Sequence, residues 1–279
     1  MTATPIALPQ KPTETIDMLY AKWNGAYAET FTNTANNLVT IQAATELHRH
    51  MQLTTATSVL EVAAGGGIGS QDILRYLEPS SVKRFNITDF SPAMVELAKQ
   101  RIQPAAYDFA VDIAVANGQD LVDVEDLSVD RYIASFVLQM TPDPAAMLRE
   151  SYRVLADGGL AGFVIWGRPE QSGWFSITHS IDPDAVRNYN NFYLGQDIPA
   201  LRQLMLETIG FKSVVVWTSM CVTETTSAAA HADRVTRSHP MEDKALEAVR
   251  RERLVQASQA WLDAGKPIGL ETYLIIATK

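Results

Sequence analysis

The chain is short of cysteine, of histidine and of positive charge, and each shortage removes a class of function. A single cysteine, Cys221, among 279 residues excludes an internal disulfide and any thiolate zinc cluster. The five histidines are His48, His50, His179, His231 and His239. No two stand four apart, and His48 and His50 would point to different sides of a helix. No metal is expected. Lys and Arg total 23 against 32 Asp and Glu, a net charge of −9. Such a surface has little means of tracking phosphates, so nucleic acid is not an expected partner. The densest basic cluster, Arg250, Arg251 and Arg253, is interleaved with Glu247 and Glu252 and reads as a solvated helix face. No apolar run reaches the ~20 residues that span a bilayer, and the opening residues lack the basic start and apolar stretch of a secretory leader. Membrane insertion is not expected, and a cytoplasmic location is. Nothing in the sequence fixes an oligomeric state.

What is present is apolar content, at 47%, enough for one elaborated domain with a large core. Residues 1–13 read as a proline-bearing arm and 14–52 as a helical cap. Residues 55–167 form the nucleotide-type core, 168–210 a second cap segment, and 211–279 C-terminal strands and a helix. In detail, helices are expected over Ile198–Thr208 and Met241–Asp263, and strands over Phe211–Val222 and Leu270–Thr278.

The most informative stretch is Ser58 to Gly69, an apolar strand carrying Glu61, then Ala63-Ala64-Gly65-Gly66-Gly67, then a helix with Ser70 as its candidate cap. Glycines without Cβ let a ligand lie against the backbone, and strand-glycine turn-helix opens a nucleotide-binding α/β domain. No G-K-[ST] follows the turn, which argues against a triphosphate. Ser70 stands where a dinucleotide turn has its third small residue. Glu61 suits a cationic ligand better than a pyrophosphate, and S-adenosylmethionine carries a sulfonium and an ammonium. The next strand ends at Asp89, before Phe90-Ser91-Pro92-Ala93-Met94, where Ser91 caps and Pro92 opens a helix. A carboxylate there can accept from a ribose diol.

These residues resemble the class I S-adenosylmethionine-dependent methyltransferases, in their ubiquinone/menaquinone-biosynthesis type of small-molecule branch. Glu61, Gly65 and Gly67 match that family's first motif, with Ala63 in place of its first glycine. Asp89 to Arg101 is similar to its D-x-S-x-x-M-x-x-x-A motif, and Asn117-Gly118-Gln119-Asp120-Leu121 stands at its D-A-x-x-L. The stretch Val129 to Met140 resembles its fourth strand and following loop, and Arg153-Val154-Leu155 with Gly158-Gly159 its R-V-L-x-x-G-G ending. The resemblance implies an α/β fold: a seven-stranded Rossmann-like, doubly wound sheet with an antiparallel last strand, plus helical cap elements. It implies S-adenosyl-L-methionine as cofactor, held by Tyr20, Glu61, Ala63, Gly65, Gly67, Asp89, Phe90, Met94, Asn117, Gly118, Ser135 and Phe136.

The substrate expected is a small, largely apolar or aromatic molecule methylated on O, N or C. Its candidate walls are Trp23 and Tyr27 of the cap, Gln139, and Trp174, Phe175, Tyr189 and Tyr193 of the second cap segment. His179 is the candidate base and Tyr20 a candidate catalytic group near the sulfonium. Gln139 replaces a histidine common among relatives, and no [DN]-P-P-[YFW] is present for methylating exocyclic amines. Two alternatives stay open: a cofactor-binding protein of the same fold catalysing a cyclisation or isomerisation, and a dinucleotide-dependent oxidoreductase.

Overall fold

The computed structural model describes residues 15–186 and 189–279; the arm expected over residues 1–13 lies outside them. Two short helices, α1 (Ile16–Trp23) and α2 (Tyr27–Phe31), lead into a nine-residue π-helical turn, Thr32–Thr40, and then α3 (Ile41–His50). The core follows as alternating strands and helices: β1 (Ser58–Val62), α4 (Ile68–Leu74), β2 (Arg84–Asp89), α5 (Pro92–Arg101), β3 (Ala110–Val115), β4 (Val129–Ser135), α6 (Pro144–Val154) and β5 (Leu155–Trp166). Beyond them come α7 (Gly173–Ile181), α8 (Ile198–Gln203), β6 (Ser213–Glu224), α9 (Ala228–Ser238), α10 (Lys244–Asp263) and β7 (Ile268–Thr278).

The seven strands form one sheet in the order β3-β2-β1-β4-β5-β7-β6. β1 to β5 pair in parallel, whereas β7 runs antiparallel between β5 and β6. The expected seven-stranded sheet with an inserted antiparallel last strand is therefore what forms. Its central strands β1, β4 and β5 are buried on both faces because helices cover both. In β5, Phe163 and Ile165 face one buried cluster while Val164 and Trp166 face the other. The order reverses beside β1, between β2 and β4, and the crevice outside the carboxyl ends of those strands is where ligands bind in such sheets.

Local boundaries differ from the sequence reading for physical reasons. β5 starts at Leu155 and runs through Gly158, whose φ of +78° no other residue would take easily. The helix expected over Ile198–Thr208 is α8 followed by a π-helical turn, Leu204–Ile209. α9 buries Ala228, His231, Ala232 and Val235. That stripe has helical spacing but is built of small residues, so the patterning does not announce it. Among the described residues no helix is long and apolar enough to cross a membrane.

Candidate active site

The carboxyl ends of β1, β2 and β4 open into a cavity of about 1090 Å³, counted out to its mouth. The cap helices cover it. Glu61, Asp89, Asn117, Gly118, Ser135 and Phe136 all line it, as do Ala63, Gly65, Phe90 and Met94. Gly67 does not; at φ +79° it is the residue immediately before α4, with Ala98 packed 3.2 Å from where a Cβ would sit.

The glycine turn is held from below by Asp89. Its Oδ2 accepts from the Gly65 N–H and its Oδ1 from the Ser91 N–H, both at 2.8 Å. One carboxylate thus pins the first turn to the start of α5 while still facing the cavity. Its burial pushes it up to about 6, against the lowering effect of those amides. Glu61 is 5% exposed. Ser70 does not cap α4; it lies inside the helix and donates its hydroxyl to Glu61 Oε2. Burial first, then the charges of Asp89 and Asp72, drive Glu61 up to about 8, with Ser70 opposing. A Cβ on Gly69 would lie 2.8 Å from Glu61 Oε1, so that glycine leaves room for the carboxylate. Behind it, His48 of α3 and Asp72 of α4 share a buried 2.8 Å hydrogen bond that ties cap to core.

Two residues of the wall carry backbone strain. Ala63 has φ +58° and Phe136 φ +61°, a region that costs a non-glycine residue roughly 1–2 kcal/mol. Phe136 is anchored on both sides, its N–H donating to Val164 O at 2.7 Å and its carbonyl accepting from Gln139 Nε2 at 3.0 Å. Gln139 is therefore fully buried beneath the loop and does not reach the cavity, contrary to its expected place in the substrate wall. Replacing Ala63 with glycine should remove the strain at that position. Offset by the extra freedom of the unfolded chain, about 0.4–1 kcal/mol, the net gain is about 0.5–1 kcal/mol. The unfolding midpoint should rise by about 1–4 °C in a thermal melt; a fall would show that Ala63 is not strained.

Gly118 forms a floor only glycine fits, since a Cβ would lie 2.7 Å from Val62 Cγ1 and 3.3 Å from Met147 Cε. The side-chain oxygen of Asn117 already accepts from the Gln119 N–H at 3.1 Å and from Gln119 Nε2 at 3.4 Å, closing its own turn, so what its side chain offers a ligand is the amide N–H donors. Of the cap aromatics, Trp23 lines the cavity, packed on Phe31 at 5.0 Å. Tyr20 and Tyr27 are 46% and 43% exposed and do not line it; Tyr20 stands edge-on to Phe90 at 5.5 Å, beside the wall.

The second aromatic group is brought together elsewhere. Trp174, Phe175 and Tyr189 pack on the buried cluster that contains Trp166 and Phe192, and Tyr193 is buried in the other cluster. His179 stacks on Tyr189 at 3.9 Å. None of these five lines the cavity. The reason is that α7 packs on α10 and β7, so its aromatic side serves as core. The walls that sequence reasoning missed come from closer by: Phe31, Asn36 and Thr40 of the cap, and Val137, Met140 and Pro142 of the loop after β4. Nothing in the sequence marks Asn36 and Thr40, since their approach depends on the π-helical turn. No group of three or more metal-binding side chains occurs among the described residues.

Residues 60–163 match the family described as methyltransferase domain. The ubiquinone/menaquinone biosynthesis C-methyltransferase UbiE of Geotalea daltonii is 37% identical over 101 residues, 36% of this chain and 42% of that protein. Matches to such curated relatives span about half of their length or less. In overall fold the chain is similar to Haemonchus contortus phosphoethanolamine N-methyltransferase 2, solved with S-adenosyl-L-methionine, at TM-score 0.60 and 14% identity over 93% of this chain and 59% of that one. It is also similar to the [4+2]-cyclase SpnF, at TM-score 0.58 and 16% identity over 97% of this chain and 98% of that one. Residues 60–163 of this chain, which run from β1 into β5, are similar to that methyltransferase domain. Its homologues are distant members of the small-molecule branch, quinone-pathway C-methyltransferases among them.

The side chains present fit S-adenosylmethionine. The wall holds two buried carboxylates at adjacent strand ends, a Ser135 hydroxyl that is buried without a partner among the described residues, and an apolar slot over Gly118.

Proposed function

We propose that this chain binds S-adenosylmethionine in the cavity and transfers its methyl group to a small, largely apolar or aromatic molecule. The observation that carries the reading is Glu61 and Asp89 facing one apolar cavity from neighbouring parallel strands. In it, Asp89 receives the ribose hydroxyls, Glu61 the cationic end, and Asn117 and Gly118 the base, with Phe90, Met94 and Met147 as its apolar walls. Helices over residues 15–50 serve as the cap, closing on the core through His48–Asp72 and through Thr32 against Gly66.

The bound donor supplies a methyl carbon already activated by positive sulfur. What the chain contributes is alignment and exclusion of water, and alignment alone is worth several kcal/mol. Trp23, Phe31 and Met140 give the acceptor an apolar berth, and the strained Phe136 turn sets the opposite wall. Strain at a site wall is a recurring device for holding a group in a fixed place. The acceptor atom, O, N or C, is set by which nucleophile that berth presents. His179 has no role in this reading, and Tyr20 contributes by bracing Phe90.

Calorimetric titration with S-adenosylmethionine, its demethylated product and NAD tests the assignment. Heat from the first two and none from NAD is expected. Incubation with a cell extract should then yield a small molecule heavier by one methyl group. Tight NAD binding without S-adenosylmethionine heat would overturn the reading.

A further inference from the structure

The amino-acid end of S-adenosylmethionine carries a carboxylate as well as an ammonium. Glu61 answers the ammonium. Among the described residues the cavity wall contains no lysine, arginine or histidine to answer the carboxylate. The partner must then be a neutral donor, and the cap supplies one.

The Thr32–Thr40 turn runs along the glycine turn, residue against residue. Thr32 seats on Gly66, where a Cβ would come within 2.6 Å of its methyl, and Asn36 lies over Gly65, with Nδ2 3.6 Å from the place of a Cβ. The wide π-helical spacing makes this possible, since the Ile41 N–H reaches back to the Asn36 carbonyl. Both Asn36 and Thr40 line the cavity. The Thr40 hydroxyl donates to Asn36 Oδ1 at 2.9 Å and lies 3.4 Å from the Asn36 backbone carbonyl, and one end of the amide is turned toward Gly65. It is the donor end, and Nδ2 has no hydrogen-bond partner among the described residues.

We propose that Asn36, oriented by Thr40, receives the carboxylate of the ligand's amino-acid end, an assignment that rests on reading the cavity as an S-adenosylmethionine site. A hydrogen bond to a charged acceptor is worth about tenfold or more in affinity. Two nearly isosteric probes isolate it: S-adenosylmethionine and its decarboxylated form, which keeps the sulfonium and amine but lacks the carboxylate.

Asn36→Asp keeps an oxygen for Thr40 and turns the donor into an anion. In calorimetry this variant should bind S-adenosylmethionine at least tenfold more weakly than the native chain, and the decarboxylated form within twofold. Asn36→Ala, which only removes the donor, should lose about tenfold for S-adenosylmethionine alone. Unchanged melting temperatures establish that both variants fold. Equal losses for both probes, or no loss for either, would overturn the assignment and make Asn36 a packing residue. If the native chain binds neither probe, the cavity reading itself falls, and the Asn36 assignment with it.

Discussion

Asp89→Ala should bind S-adenosylmethionine roughly thirty- to several-hundred-fold more weakly than the native chain. Two charge-assisted hydrogen bonds to a ribose are worth about 1.5–3 kcal/mol each, and their losses overlap, which leaves about 2–4 kcal/mol. The same carboxylate accepts from the Gly65 and Ser91 N–H groups. Its loss therefore also unties the glycine turn, and unfolding stability should fall by about 1–3 kcal/mol. Asp89→Asn should lower both as well, since it leaves one acceptor oxygen and puts an amide donor against a backbone donor. Affinity measured by calorimetry and stability by denaturant unfolding check both. Unchanged affinity with lowered stability would make Asp89 a turn anchor only.

Cofactor affinity should rise with pH up to about 8, because that is where Glu61 titrates; above it the ligand's own α-ammonium loses its proton and the rise ends. Below that value the free carboxyl is protonated, and a cationic ligand must displace the proton to gain the ion pair. Affinity then falls by up to tenfold per pH unit, with one proton released on binding. Asp89, pushed up to about 6, adds to the slope only near and below that pH. Glu61→Gln should bind weakly and show no slope between about pH 6.5 and 7.5, below the range in which the ligand's own α-ammonium loses its proton. Stability moves the other way. The folded Glu61 carboxyl sits at about 8, above its ordinary 4.5, so the contribution from its protonated form is complete below 4.5 and lost as pH rises through 8. Glu61→Gln should consequently be the more stable chain at pH 8.5, and the two should converge toward pH 5. A native affinity flat from pH 6 to 9 would show that Glu61 does not meet a cation.

Much of this site is legible in consecutive residues. Glu61, the glycines from Gly65 to Gly67, and Asp89 before Ser91-Pro92 are positioned by their own strands and turns. The seven-stranded sheet with its antiparallel last strand is implied by the resemblance those motifs carry, and it is what forms. Ser70 shows where local reasoning stops. Its hydroxyl suits a cap, but the chain enters α4 at Gly67, one turn earlier, and Ser70 meets Glu61 instead. Aromatic content misleads for a similar reason. Trp174, Phe175 and Tyr189 satisfy an apolar core as well as they would a ligand, and composition does not say which surface they meet.

What the sequence by itself determined is therefore the core side of the candidate site, because glycine turns, strand periodicity and helix caps are properties of neighbouring residues. The cap side of the candidate site and the charge state of Glu61 were decided by tertiary structure alone. Asn36 reaches Gly65 only because a π-helical turn of the cap is laid along the glycine turn. The Glu61 carboxyl is raised because folding removes its water and gathers Asp72 and Asp89 around it from two other elements. Desolvation and long-range contact have no signature in a linear pattern, and they set what this cavity can hold.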